Sequence, residues 1–195
     1  MQRLLMLSVS AVVTIYSANA IADSLKGAYA FTGSSVCLTT STTFTTSQQA
    51  NPPASIGTGS DEGIRIFDGN GNGTFTNRDT SVTAPLPPNT SFLPDASSSE
   101  SSASFTYTVT DDEFTLQNVA GTDKGTVLSG PRKGQTFTIE GLPPVTGLIS
   151  ANGHTLTTSI LTPGAETITY SNGQVFHRIC ARSRVYTKLD NDGAN

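Results

Sequence analysis

The sequence predicts an all-β fold, an antiparallel meander of about eight to ten strands closing as a β-barrel, with a β-sandwich as the alternative. Two observations carry that expectation. Short runs rich in Thr, Val, Ile, Tyr and Phe recur along the chain, separated by Gly, Pro, Asn and Asp. Beyond residue 22 no stretch sustains the apolar period of an amphipathic helix. A third observation argues for closure. The two cysteines, Cys37 and Cys180, lie towards opposite ends of the chain, and in a closed barrel the first and last strands are neighbours.

Residues 1–22 read as a signal peptide. Arg3 gives the positive start, and Leu4 to Tyr16 is apolar but too short to remain as a membrane span. Ala20-Ile21-Ala22 offers a small-residue cleavage site, and Ala18-Asn19-Ala20 an earlier one. Residues 23–195 are then a single β-barrel domain, exported to the periplasm or beyond the cell. In such a compartment Cys37 and Cys180 are expected to form a disulfide tying the first strands to the last.

The strands begin at Leu25. Leu25 to Thr32 and Val36 to Phe44 read as extended, and Ser47 to Ser60, with Pro52-Pro53, reads as a loop. Gly63 to Phe67 and Thr74 to Asn77 flank the glycine-rich turn from Asp68 to Gly73. The Pro/Ser-rich stretch from Ser81 to Ser102 reads as a long exposed loop over one end. Ser104 to Thr110 and Glu113 to Asn118 make a hairpin about Asp111-Asp112. Gly125 to Ser129 and Gln135 to Glu140 make another about Pro131-Arg132-Lys133-Gly134, with Arg132 and Lys133 in solvent. Two Asn-Gly hairpins follow, at Asn152-Gly153 and Asn172-Gly173.

The last hairpin can be read residue by residue. A two-residue turn at Asn172-Gly173 pairs Tyr170 with Val175, Ile168 with His177 and Glu166 with Ile179. The inner face then carries Ile168, Tyr170, Val175, His177 and Ile179, and the outer face Thr167, Thr169, Phe176, Arg178, Arg182 and Arg184. This register gathers Glu166, Tyr170 and His177, the candidate catalytic trio. It is preferred because a one-residue slip buries guanidinium groups with no evident partner. Should the slip occur, Arg178 and Arg182 line the cavity and join Tyr170 and His177 as candidate ligand-binding residues.

Other motifs carry less. Asp68, Asn70 and Asn72, with Asp79 eleven residues on from Asp68, match the spacing of a calcium loop. That motif is normally flanked by helices, both flanks here read as strands, and Asp, Asn and Gly are what any tight turn selects. No metal is therefore expected. His154, directly after an Asn-Gly turn, belongs in solvent. No nucleophile elbow, phosphate loop or paired-cysteine motif is present, so no cofactor is expected. The formal net charge of −4 and the scatter of the basic residues argue against nucleic acid as a partner.

The runs Leu25-Lys26-Gly27-Ala28-Tyr29-Ala30-Phe31-Thr32-Gly33 and Cys37-Leu38, Ser129-Gly130-Pro131-Arg132-Lys133-Gly134-Gln135-Thr136, and Tyr170-Ser171-Asn172-Gly173 with Arg178-Ile179-Cys180 resemble a group of small exported proteobacterial β-proteins. The resemblance implies a barrel similar in architecture to the calycin and allene-oxide-cyclase-like barrels. It supplies no catalytic residue to carry over. The functional expectation is binding of a small, largely apolar molecule inside the barrel. The alternatives are an isomerase or cyclase using Glu166, Tyr170 and His177, or a surface component whose Ser/Thr-rich exterior makes the contacts. The sequence leaves the oligomeric state open.

Overall fold

The computed structural model describes residues 25–87 and 93–189; the proposed signal peptide lies outside them. Eleven strands form one antiparallel sheet: β1 (Lys26–Thr40), β2 (Ala54–Asp68), β3 (Asn72–Pro85), β4 (Asp95–Thr110), β5 (Glu113–Asn118), β6 (Lys124–Ser129), β7 (Thr136–Glu140), β8 (Val145–Ile149), β9 (Thr155–Ser159), β10 (Ala165–Tyr170) and β11 (Val175–Lys188). No helix occurs among the described residues, and none there is long and apolar enough to cross a membrane.

The sheet closes through β1 and β11, which pair from Tyr29↔Lys188 to Thr40↔His177. The order β1-β2-β3-β4-β5-β8-β9-β11 returns to β1 and makes a ring of eight strands. A second ring shares most of it. β4 pairs with β5 through Phe105–Thr110 and with β6 through Ser98–Ser102. β11 likewise pairs with β9 through Ser183–Thr187 and with β10 through Val175–Ile179. The five long strands therefore run the full height of a barrel. The remaining wall is built in two storeys, β5-β8-β9 below and β6-β7-β10 above.

Several elements are longer than their sequence suggests. The loop expected over Ser47 to Ser60 is already β2 from Ala54, and the loop expected over Ser81 to Ser102 is mostly the end of β3 and the start of β4. The reason lies in the lining. Ser97, Ser99 and Ser101 alternate with Ala96, Ser98 and Glu100, so inward positions are as small and polar as outward ones and the period of two carries no hydrophobic signal.

The lower storey is solid. Tyr29, Phe67, Phe105, Phe114, Leu156 and Tyr186 are all at most 2% exposed. Phe67 sits at the centre of this base, with ring centroids 5.4 Å from Tyr29, 5.3 Å from Phe105 and 5.1 Å from Tyr107 in edge-on arrangements. The Tyr29 hydroxyl donates to the Gly153 carbonyl at 2.8 Å and that of Tyr107 to the Leu25 carbonyl at 2.9 Å, so the polar ends of these two rings are satisfied.

The disulfide joins Cys37 and Cys180 directly across the β1–β11 seam, at a Cα separation of 4.1 Å and a sequence separation of 143. A bonded pair is the state that an oxidising, exported environment supports.

Candidate functional site

The last hairpin does not adopt the register the two-residue turn implies. The Gly173 amide donates to the Tyr170 carbonyl and the Tyr170 amide to the Gln174 carbonyl, both at 2.9 Å. Gly173 alone takes a left-handed conformation, at φ 84°, while Asn172 does not. This is a type I turn over Ser171 and Asn172 followed by a glycine bulge, a three-residue loop. The extra residue shifts β11 by one position, so Thr167 pairs with His177, Glu166 with Arg178 and Ile168 with Phe176.

The consequence is a change of face for all of β11. Phe176, Arg178, Cys180, Arg182, Arg184 and Tyr186 point into the lumen, whereas Val175 and Val185 are 40% and 49% exposed. His177 lies on the outer face, where its Nδ1 is 3.2 Å from the Thr167 hydroxyl. The expected trio is therefore not assembled. Glu166 and Tyr170 are inside, as anticipated, and His177 is not.

The buried arginines do have a partner, and it occupies the inner face of β10 opposite them. Glu166 is fully buried. Arg182 grips it with both terminal nitrogens, Nη1 on Oε1 and Nη2 on Oε2, the latter at 2.7 Å. Arg178 donates to Oε2 from Nε at 2.8 Å. Burial pushes the Glu166 carboxyl up, but Arg178 and Arg182 outweigh it and hold the pKa at about 2. Arg184 binds Asp61 through Nε at 2.6 Å and Nη2 at 2.5 Å. A side chain on Gly33 would collide with both groups, its Cβ falling 2.5 Å from Arg184 Cγ and 2.6 Å from Asp61 Oδ1. The missing Cβ of Gly33 makes room for this bridge.

The charged layer rests on the aromatic base. Arg184 lies 5.3 Å from the Phe31 ring centroid, and Arg65 lies over Phe75, Phe105 and Tyr186 at 5.0, 4.7 and 5.6 Å. Two further acids complete the layer. Asp79 accepts a hydrogen bond from the Ser99 hydroxyl, and burial raises its pKa against the opposing effects of Ser99 and Arg178. Asp123 is pushed up to about 6, chiefly by burial, with Arg178 and the Asn118 amide at 3.0 Å opposing the shift.

Above this layer the upper storey holds a cavity of about 250 Å³, just below the usual range of about 300–1,000 Å³ for ligand sites. Its floor is Arg178, Arg182 and Arg184 with Asp61 and Asp79. One wall is hydroxyl-bearing and small: Ser35, Thr39, Ser55, Ser81, Ser97 and Ser99. The opposite wall is apolar and aromatic: Val127, Phe137, Ile139, Ile168, Tyr170 and Phe176. Arg132, expected in solvent, instead lines the cavity and stacks on Tyr170 at 5.2 Å and Phe176 at 4.8 Å. The lining is therefore only half apolar, more polar than the apolar inner face with few polar groups that the sequence implies.

The calcium-type spacing does not gather a site. Asp68 Oδ1 accepts from the Asn70 amide at 2.7 Å and the Asn72 amide at 3.0 Å, so that carboxylate closes its own turn. Asp79 lies seven residues along β3 from Asn72, roughly 23 Å of extended chain away, and faces the lumen. Among the described residues no group of three or more His, Cys, Asp or Glu is placed to hold a metal ion.

No family model and no curated protein matches the chain, so the roles of these residues rest on their geometry.

Proposed function

We propose that this is an exported binding protein that holds one small molecule in the upper lumen. The observation that carries the reading is the contrast within a single barrel: a base filled by aromatic side chains, and above it a cavity walled by serines and threonines where large side chains would have filled it. A protein with no use for the space gains stability from packing it. The apolar wall offers a surface for a hydrophobic body, in keeping with the expected apolar ligand, while the charged floor adds a polar end. The isomerase or cyclase reading has lost its candidate base, because His177 is outside the lumen. The periplasmic or extracellular placement and the kinship with exported proteobacterial barrels belong to the same proposal.

The test is native mass spectrometry of protein purified from its own host, with a Ser55→Phe variant in parallel. Ser55 faces the cavity from the hydroxyl wall, so a ring there occupies the ligand's space. Wild type is expected to carry a retained small molecule that is absent from a folded Ser55→Phe variant. A wild-type protein that carries nothing, and that no small hydrophobic probe stabilises against heat, would reject the reading.

A further inference from the structure

Resting on that reading, we infer that the ligand carries a planar acid group, a carboxylate, seated on the terminal nitrogens of Arg178.

The assignment follows from which charges in the layer are already matched. The two oxygens of Glu166 are held by the fork of Arg182 and receive one further bond from Arg178. Asp61 is held by Arg184 through Nε and Nη2. Arg178 differs from both, because only its Nε is engaged and no hydrogen bond forms at its terminal nitrogens among the described residues. Its side chain is also the most accessible of the three, 24% exposed against 12% for Arg182 and 16% for Arg184. It lines the cavity together with Tyr170 and Phe176.

Asp79, which also feels the charge of Arg178, is held by the Ser99 hydroxyl and not by an arginine. A ligand carboxylate would engage the terminal nitrogens that Glu166 leaves open on Arg178. The two terminal nitrogens of one guanidinium match the two oxygens of a carboxylate in a plane. Three arginines on one floor also oppose a cationic head group. The aromatic wall then takes the body of the ligand, so the class is a compact aromatic or branched aliphatic acid.

The experiment compares 2-naphthoate, 2-naphthamide and 2-naphthylmethanol by isothermal titration calorimetry on wild type and on Arg178→Met and Arg178→Lys. Arg178→Met leaves Glu166 in the fork of Arg182, so the variant is expected to fold, and its circular dichroism spectrum and melting curve check this. In wild type the naphthoate is expected to bind at least about tenfold tighter than the amide, the ratio a single charge-assisted contact supports. Arg178→Met is expected to remove that preference while leaving the amide's affinity in place, and Arg178→Lys to restore part of it. Equal binding of acid, amide and alcohol to wild type would overturn the head-group assignment and leave the binding reading standing. A preference for acid that survives in Arg178→Met would overturn it too. If none of the three binds, the assignment of a compact aromatic acid is overturned, and the binding reading is decided by the retained-ligand measurement.

Discussion

The two storeys of this barrel share five strands and one alternation of inward residues, yet one is packed and the other is hollow. Along β2 the inward positions run Phe67, Arg65, Gly63, Asp61, Gly59, Gly57 and Ser55, from a ring to a charge to almost nothing. Along β4 they run Tyr107, Phe105, Ala103, Ser101, Ser99 and Ser97. Barrel closure fixes the wall, and side-chain volume alone decides whether the lumen is filled. The base supplies the stability, and the upper storey keeps space over a charged floor.

The sharpest way to separate the two is to truncate a ring in each. Phe67→Ala, in the middle of the base, is expected to cost about 4 kcal/mol in urea denaturation, since its neighbours cannot collapse into the space. Phe137→Ala borders the existing cavity and is expected to cost about 2 kcal/mol. Equal losses would contradict the difference in packing.

The boundary between the storeys should respond next. Glu166→Gln removes the one carboxylate that Arg178 and Arg182 share and is expected to destabilise by about 3 kcal/mol. Because the Glu166 carboxyl is held at about 2, its contribution is present above the ordinary glutamate pKa and disappears as pH falls towards 2. The wild-type excess over Glu166→Gln should therefore shrink between about pH 4.5 and pH 2.

Asp123 works in the opposite sense. Its folded pKa of about 6 exceeds the ordinary 3.8, so its stability contribution is present below about pH 4 and is lost as pH rises through 6. The loss amounts to as much as about 3 kcal/mol. Asp123→Asn should then be more stable than wild type at pH 7.5, with the gain fading towards pH 4.5. A gain of the same size at both values would show that the carboxyl does not titrate in that window.

The smallest effect belongs to His177. On the outer face beside Thr167 it should tolerate Ala within about 0.5 kcal/mol, and without loss of any ligand the protein retains.

These regions also differ in how far the sequence exposes them. Strands with apolar inward residues, such as Tyr29 and Phe31 or Phe105 and Tyr107, announce themselves, and the position of the two cysteines indicates closure. The upper halves of β2, β3 and β4 do not, because Gly, Ser and Thr line a cavity with the same residue types that form loops. The site was half legible. Glu166 and Tyr170 were placed inside, but the Asn172-Gly173 pair serves a type I turn with a glycine bulge as well as a two-residue turn, and one residue of register decides between His177 and three arginines. The clue available in the sequence was Glu166 itself, an acid on the inner face of β10 that requires a cation from the facing strand.

Register is therefore the claim on which the site depends, and nuclear Overhauser contacts across β10 and β11 measure it directly. Tyr170 bonds to Gln174, so Thr167 and His177 form a non-hydrogen-bonded pair with close α-protons. Strong Hα–Hα contacts are expected for Thr167 with His177 and for Thr169 with Val175. Contacts that instead pair Ile168 with His177 and Tyr170 with Val175 would turn His177 inward and the arginines out, and would contradict the account.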